Sequence, residues 1–238
     1  MADRPIIFSA QMVRALLDGR KSQARRVLKP QPVPSDFRNT SPETAKWFHD
    51  PVRGGMWIND GVAVGPFRSP SPGDRLYVRE AWRVMDGQDR FSGSQIAAQC
   101  LEAGYKRAWS PIQYEVDGVR DNWIADPHCF GAGPGRYRHA RFMPRWASRL
   151  TLIVTDVRVQ RLQDISEADA VAEGLEVEPS HLGISTNYCF GAIAYSRAKP
   201  AFCALWNSLH GPDAWGANPW VVALTFAVAR RNIDARAP

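Results

Sequence analysis

The sequence is poor in the residues and motifs that mark metal, cofactor and disulfide-bonded proteins. Its four cysteines, at positions 100, 129, 189 and 203, lie far apart and form no Cys-x-x-Cys pair, and its five histidines show no ligand spacing. These absences argue against a zinc site and against a disulfide framework. Gly-x-Ser-x-Gly, Walker-type and Gly-x-Gly-x-x-Gly motifs are also missing. We therefore predict neither a metal nor a cofactor.

Long apolar runs are missing as well. No stretch approaches the roughly 20 apolar residues that are needed to cross a bilayer. Residues 1–5 (Met-Ala-Asp-Arg-Pro) do not have the charged-then-apolar layout of a signal peptide. The sequence therefore predicts a cytoplasmic protein with no membrane partner.

Acidic residues are missing from two stretches in which cationic residues gather. The 238 residues carry a net charge of +6, and this balance favours an anionic partner such as a nucleic acid or a nucleotide. The first basic stretch, residues 19–26, reads Gly-Arg-Lys-Ser-Gln-Ala-Arg-Arg and follows a short amphipathic helix pattern. A cationic loop that is fixed by a helix end is suited to hold phosphate. We expect Lys21, Arg25 and Arg26 to bind the anion, and a desolvated Lys21 can also act as a base.

The second basic stretch, residues 136–149, has arginines between aromatic residues. No acidic residue occurs between Asp126 and Asp156. Arginine neutralises the phosphate backbone while aromatic rings stack on bases. We therefore expect this stretch to contact nucleic acid through Arg138, Arg141, Arg145 and Trp146. The alternative is that the aromatic residues anchor the loop to the core while the arginines face water.

Two glutamates are candidate catalytic acids beside Lys21. Glu80 stands at the end of a strand pattern, and Glu173 stands late in a helix pattern that begins at Ser166. An acid that faces Lys21 across a pocket can orient the lysine or act as a general base. Most glutamates are ordinary surface residues, so each of the two is a hypothesis.

Periodicity and capping signals predict the order strand, helix, strands, helix, helix, strand, without an internal repeat. This order indicates one compact α+β domain, residues 1–238, around a small mixed β-barrel. Strand patterns occur at 5–9, 75–82, 149–160 and 219–228, and helix patterns end at Gly19, Gly174 and Gly211. We interpret residues 31–72, 86–140 and 176–198 as loop-rich insertions, with hairpin turns at 59–61 and 117–118.

Several sequence blocks, taken together and in order, resemble the ASCH domain family of the PUA-like superfamily, and more closely a phage- or prophage-encoded branch of it. The first basic stretch resembles the family motif Gly-x-Lys-x-x-Thr-x-Arg. The blocks lie at 4–9, 19–26, 72–80, 143–149, 164–174, 205–206 and 218–221. The three insertions fall outside this signature.

The resemblance implies a mixed β-barrel with flanking helices and a cleft lined by the motif after the first helix. Members of the family are proposed to bind RNA, some relatives hydrolyse the amide of acetylated cytidine, and others are described as ribonucleases. By position, the family lysine is Lys21, the arginine is Arg26 and the glutamate is Glu173. The family threonine is replaced by Ala24, whose methyl group cannot be a nucleophile. Ser22 would lie about 6–7 Å from Ala24 along an extended strand.

Three functions follow from these observations. The first is an ASCH-like protein that binds a nucleotide or a nucleic acid, with RNA favoured over DNA. The second is a hydrolase of a modified nucleoside, or a ribonuclease, that uses Lys21 and Glu173; Ala24 weakens this hypothesis and leaves open whether the chain is an enzyme. The third is a phage accessory or assembly protein that acts in the host cytoplasm through protein contacts of its aromatic-rich insertions.

Overall fold

The computed structural model describes residues 2–29, 31, 47–50, 55–58, 70–123, 131, 133–179 and 186–235. The chain forms two compact units. The first unit comprises Met1–Gly19, Gly73–Ile153 and Ala227–Pro238, and the second unit comprises Arg20–Pro72 and Val154–Phe226. Each unit is therefore built from segments that are distant in sequence. The assignment of residues 1–238 to a single domain stays a prediction.

The described residues include four α-helices and thirteen strands. The helices are α1 (Ala10–Leu17), α2 (Gly93–Glu102), α3 (Glu167–Ala172) and α4 (Ala198–His210). The strands are β1 (Asp3–Ile7), β2 (Gln23–Val27), β3 (Trp47–Asp50), β4 (Gly55–Ile58), β5 (Arg75–Arg79), β6 (Trp82–Val84), β7 (Ile112–Tyr114), β8 (Arg120–Asp121), β9 (Thr151–Arg161), β10 (Glu176–Pro179), β11 (Thr186–Phe190), β12 (Ile193–Tyr195) and β13 (Trp220–Ala229).

In the first unit, β5 is flanked by two strands. It pairs in parallel with β1 and antiparallel with the first residues of β9. A second sheet has the order β6-β7-β8, and its β7–β8 turn lies where the sequence predicts a hairpin. The core beside this sheet is made of fully buried side chains from β6, β7 and α2 and from the segment before β9, among them Trp82, Ile96, Tyr114 and Met143.

In the second unit, β2 pairs antiparallel with β13, with Gln23 opposite Thr225 and Val27 opposite Val221. Two further groups of strands belong to this unit, the β3–β4 hairpin and the three-stranded sheet β10-β11-β12. The core of the unit packs α4 against the segment around α3 and against β13, through side chains such as Ile165, Phe202 and Val221. These apolar contacts fix the position of α3 relative to β2, which matters for the site below.

The predicted α+β class is confirmed, whereas none of the sheets among the described strands closes into a barrel. Closure requires that the two edge strands of one sheet pair with each other, and each described sheet keeps two edges.

Two predicted loop segments contain regular structure. Residues 86–140 hold α2, which begins at a capping box formed by Ser92 and Gln95. Residues 176–198 hold the strands β10 to β12, which are short and mostly exposed. Strands of three to five residues offer too few positions for a clear hydrophobic alternation, so their sequences give no strong signal. Most of the 31–72 segment, with the turn predicted at 59–61, lies outside the described residues.

Candidate functional site

Lys21 and Glu173 form a buried ion pair in the second unit. Lys21 lies two residues before the start of β2, and its backbone bridges that of Glu173, the C-cap residue of α3. The lysine Nζ donates to Glu173 Oε2 and to the Glu173 carbonyl oxygen, both at 2.8 Å. Lys21 is 1% exposed and Glu173 is 4% exposed. The structure therefore brings together the lysine and the glutamate that the family resemblance pairs.

Arg25 of β2 also binds Glu173. Its Nη1 donates to Glu173 Oε1 at 2.9 Å, and its Nη2 donates to Asp169 Oδ2 at 3.2 Å. Gln23 donates from Nε2 to Asp169 Oδ1 at 2.8 Å and accepts from Arg25 at 3.1 Å. Residues two apart on a strand share a face, and residues four apart along a helical segment lie on one side of it. We name this group the Lys21 cluster; its members are Lys21, Gln23, Arg25, Asp169 and Glu173.

The pKa of Lys21 lies below its usual range. Burial is the main cause, because it disfavours the charged ammonium, and the neighbouring Arg26 and Arg25 guanidinium groups add to the effect. The Glu173 carboxylate opposes this shift. A lowered pKa favours the neutral amine, which is the form that accepts a proton. Structural ion-pair networks shift pKa values in the same way, so the shift marks a candidate and does not by itself define a function.

Ala24 lies on the other face of β2 from the Lys21 cluster. It is 1% exposed and stands opposite Leu224 of β13. Successive side chains of a strand point to opposite faces. The position that the family gives to threonine is therefore turned away from the face that carries Gln23 and Arg25.

Arg26 is half-buried and lies close enough to Lys21 to lower its pKa. Its charge also lowers the pKa of His210 at the end of α4. The His210 ring lies against that of Trp206, with centroids 4.1 Å apart and ring planes tilted by 35°. The pKa of His210 is lowered first by burial, and then by Arg26 and Lys29. The first basic stretch thus faces both Glu173 and the end of α4.

Glu80, the other predicted catalytic acid, is held in the first unit by Arg149. The arginine Nε and Nη2 donate to its two carboxylate oxygens, each at 2.8 Å. Arg149 also donates to Asp117 at 2.8 Å and lies 4.0 Å above the ring of Tyr114. Burial raises the pKa of Glu80, and the hydrogen bonds of Arg149 oppose that shift. The carboxylate is therefore engaged on both oxygens within the fold.

Three members of the second basic stretch also make contacts within the fold. Arg138 is 7% exposed and donates to the Phe91 carbonyl oxygen at 2.8 Å. Arg145 Nη2 donates to Asp3 at 2.6 Å and pairs with Asp234. Trp146 donates from Nε1 to the Gly93 carbonyl oxygen at 3.1 Å. Because a buried polar group needs a partner, these contacts stabilise the loop. Trp146 packs within the unit as the alternative for this stretch expects, whereas Arg138 is buried and does not face water.

A groove of about 660 Å³ lies in the first unit beside the start of α2. We name it the arginine groove; its lining includes Arg79, Ser94, Arg136, Tyr137, Arg141 and Phe142. This volume is within the range of organic ligand sites. Tyr137 is 53% exposed and Phe142 is 61% exposed, which is unusual for large aromatic side chains.

Three arginines that line this groove differ from a fourth, Arg138, which pairs with Asp89. Within the described residues, no carboxylate lies at ion-pair distance from the guanidinium groups of Arg79, Arg136 or Arg141, and only the backbone N–H of Arg136 donates to Asp89, at 2.8 Å. Arg79 donates to the Arg141 carbonyl oxygen at 3.1 Å and to the Tyr77 hydroxyl at 3.2 Å. Arg141 lies 4.7 Å above the ring of Phe142. The groove therefore presents guanidinium groups and aromatic faces together.

Sequence reasoning missed two of the residues that matter in these sites. Asp169 precedes Glu173 by four residues on a helix pattern, and that spacing could have suggested a shared face. Arg79 gave no signal, because its proximity to residues 136–144 arises only in the folded chain. Among the described residues no group of histidine, cysteine, aspartate and glutamate could hold a metal ion, and no helix has the length and apolar character needed to span a bilayer.

Comparison with known proteins gives the chain no family by similarity: no protein-family model, no curated protein and no solved structure matches it.

Proposed function

We propose that this protein binds a nucleic acid through the arginine groove of the first unit. The observation that carries the proposal is that Arg79, Arg136 and Arg141, whose guanidinium groups have no described carboxylate partner, line one groove together with two exposed aromatic rings. Guanidinium groups bind phosphate oxygens bidentately and release counterions from the polymer. The net charge of +6 adds long-range attraction for an anionic polymer.

The aromatic rings favour a single strand over a duplex. In a duplex the faces of the bases are stacked on each other, whereas a single strand offers them to side chains such as Tyr137 and Phe142. The preference for RNA over DNA is supported by the resemblance to the ASCH domain family, whose members are proposed to bind RNA. Membership of that family, with its PUA-like barrel, is part of the same proposal.

The proposal is tested by fluorescence anisotropy with short labelled oligonucleotides across a salt series. We expect the wild type to bind single-stranded RNA with an affinity that falls as salt rises. The variants Arg136→Glu and Arg141→Glu should bind more weakly. Each should also reduce the salt slope, which is the slope of log affinity against log salt concentration, by about one, because one phosphate contact is lost. The matched control is Arg120→Glu, the same charge change at an exposed residue of β8.

If the groove variants and Arg120→Glu bind equally, the groove is not the binding surface. If the wild type binds neither RNA nor DNA at low salt, the proposed function is wrong. A tighter complex with duplex than with single strands would remove the argument from aromatic stacking.

A second candidate function is hydrolysis at the Lys21 cluster. It is favoured by one observation, the lowered pKa of a lysine that is hydrogen-bonded to a glutamate. With alanine at position 24, water itself has to attack the amide carbonyl: Lys21 takes a proton from the water, a C–O bond forms, and the C–N bond breaks as the amine leaves with a proton. The buried position of Lys21 counts against easy access of a substrate.

Incubation with acetylated cytidine and chromatographic detection of cytidine and acetate tests this candidate. Turnover that is lost in Lys21→Ala and retained in Lys106→Ala, which changes an exposed lysine, would support it. Turnover that persists in Lys21→Ala would remove Lys21 from the mechanism.

A further inference from the structure

A second, smaller cavity of about 250 Å³ lies beside α2 in the first unit. We infer that it holds one nucleobase of the single strand that the arginine groove binds, an inference that rests on the proposed function. The lining residues on which the argument depends are Arg90, Phe91, Gln99, Cys100, Tyr105 and Trp109. We name this cavity the base pocket.

The walls of the base pocket are suited to a flat aromatic ligand. Tyr105 and Trp109 meet edge to face, with centroids 5.6 Å apart and ring planes at 74°. The Arg90 guanidinium lies 4.7 Å from the centroid of the Phe91 ring. Aromatic faces and guanidinium planes are the surfaces on which unstacked bases are held.

The segment that carries Tyr105 and Trp109 is tied to α2. The Cys100 thiol donates to the Trp109 carbonyl oxygen at 3.2 Å, and the Tyr105 amide donates to the Cys100 carbonyl oxygen at 3.0 Å. Cys100 also packs against the core of the unit. The aromatic walls are therefore fixed before a ligand arrives, which reduces the entropy lost on binding.

Gln99 supplies a polar edge to the pocket. Its side chain is exposed, and in the part of the chain that the structure describes its amide makes no hydrogen bond. A glutamine amide offers one acceptor oxygen and two N–H donors, and this set matches the mixed donors and acceptors on the edge of a base. A purely apolar ligand could not form hydrogen bonds with this amide. Gln88 also lines the cavity, but its amide oxygen accepts from Ser110. The aromatic walls and the Gln99 amide together fit a heteroaromatic ring.

The base pocket and the arginine groove share two structural elements. Ser94 of α2 lines the groove and Gln99 lines the pocket, and the two residues are about 7.5 Å apart along the helix axis at 1.5 Å per residue. Nearby nucleotides of one strand can therefore occupy the two cavities. Arg138 of the groove also donates to the Phe91 carbonyl oxygen at 2.8 Å, so the loop before α2 forms a wall of both cavities.

The test compares Gln99→Ala and Tyr105→Ala with wild type in binding a short single-stranded RNA and a fully abasic strand of equal length. Both side chains are exposed, so their removal should leave the fold intact; thermal unfolding checks this. We expect Tyr105→Ala to bind the RNA about 5- to 150-fold more weakly, the range for loss of one stacked base, and Gln99→Ala to bind it about 2- to 12-fold more weakly, the range for loss of one neutral hydrogen bond. The salt slope should not change, because no phosphate contact is lost.

On the abasic strand, both variants should bind as the wild type does. The matched control is Leu101→Ala, which changes an exposed neutral residue of α2 outside the pocket lining and should have no effect on either strand.

The outcomes separate the base pocket from the proposed function. Should Gln99→Ala and Tyr105→Ala bind RNA as tightly as wild type while Arg136→Glu and Arg141→Glu weaken it, the base pocket is wrong and the proposed function stands. An equal loss on RNA and on the abasic strand would assign these residues to the backbone and also overturn the inference. Absence of all nucleic-acid binding by the wild type would overturn both.

Discussion

Lys21 Nζ and Glu173 Oε2 lie 2.8 Å apart, although 152 positions separate the two residues in sequence. The contact joins the segment that leads into β2 to the end of α3. Both side chains are almost fully enclosed, and Arg25 completes the charge balance around the glutamate. A contact of this kind is both a structural tie of the second unit and a candidate reaction centre.

We predict that Lys21→Met lowers the free energy of unfolding by about 3–5 kcal/mol, the usual loss when one partner of a buried ion pair is removed. Glu173 then keeps only Arg25 as a charged partner in the cluster. Urea denaturation at neutral pH measures the change. The control is Arg197→Met, which removes an exposed partner of Glu167 and should cost less than about 1 kcal/mol. A loss in Lys21→Met no larger than that of the control would contradict a structural role.

We predict that the stabilisation provided by Arg145 disappears in acid. The pKa of Asp3 is lowered because hydrogen bonds from Arg75 and Arg145 outweigh the opposing effect of burial. The pKa of Asp234 is lowered first by its hydrogen bond from Arg145. A carboxylate with a lowered folded-state pKa stabilises the fold above the unfolded-state value of about 3.9, and this contribution is lost as the pH falls through the folded-state pKa.

The difference in the free energy of unfolding between wild type and Arg145→Ala should therefore shrink as the pH is lowered from about 6 to below about 3. Urea titrations at several pH values measure it. Arg141→Ala is the control, because among the described residues the Arg141 guanidinium has no acidic partner. The difference in the free energy of unfolding between wild type and Arg141→Ala should not depend on pH. A constant difference for Arg145→Ala would show that its ion pairs contribute nothing to stability.

We predict that Phe142→Ala weakens binding of single-stranded RNA by about 1–3 kcal/mol and leaves the salt slope unchanged. The ring is 61% exposed, so its removal should cost little stability. Anisotropy titrations across a salt series separate the two effects. Val119→Ala removes another exposed apolar side chain and should bind as wild type does. A reduced salt slope in Phe142→Ala would mean that the ring acts by positioning Arg141, whose guanidinium group lies above it.

We predict that Ala24→Thr destabilises the protein by about 1–3 kcal/mol and does not create hydrolysis of acetylated cytidine. The added atoms must fit a site that is 1% exposed, and they point away from the face of Gln23 and Arg25. Denaturation and a cytidine-release assay test the two parts. Ala98→Thr, at an exposed position of α2, should cost less than about 0.7 kcal/mol. Turnover by Ala24→Thr would show that a hydroxyl at position 24 does reach the Lys21 cluster.

The elements with strong periodic signals were predictable. The helix that buries Val13 and Leu16, the long strand β9 and the terminal strand β13 each carry an apolar pattern that their own residues decide. The capping signal at Ser166 likewise marks the start of α3. Helix α2 and the strands β10 to β12 were not predicted, since α2 has a mixed composition without a clear apolar stripe and the three strands are only three to five residues long.

The sequence by itself determined which residues carry charge and in what density: two stretches rich in arginine and free of acid, and a lysine and a glutamate that a family resemblance pairs. Only the tertiary structure decided which of those charges are neutralised. Arg138 and Arg145 are engaged by carbonyl and carboxylate oxygens, whereas the guanidinium groups of Arg136 and Arg141 have no described carboxylate partner and lie beside exposed rings. The reason is physical: a guanidinium group acts according to the oxygens near it, and those neighbours lie far away along the chain.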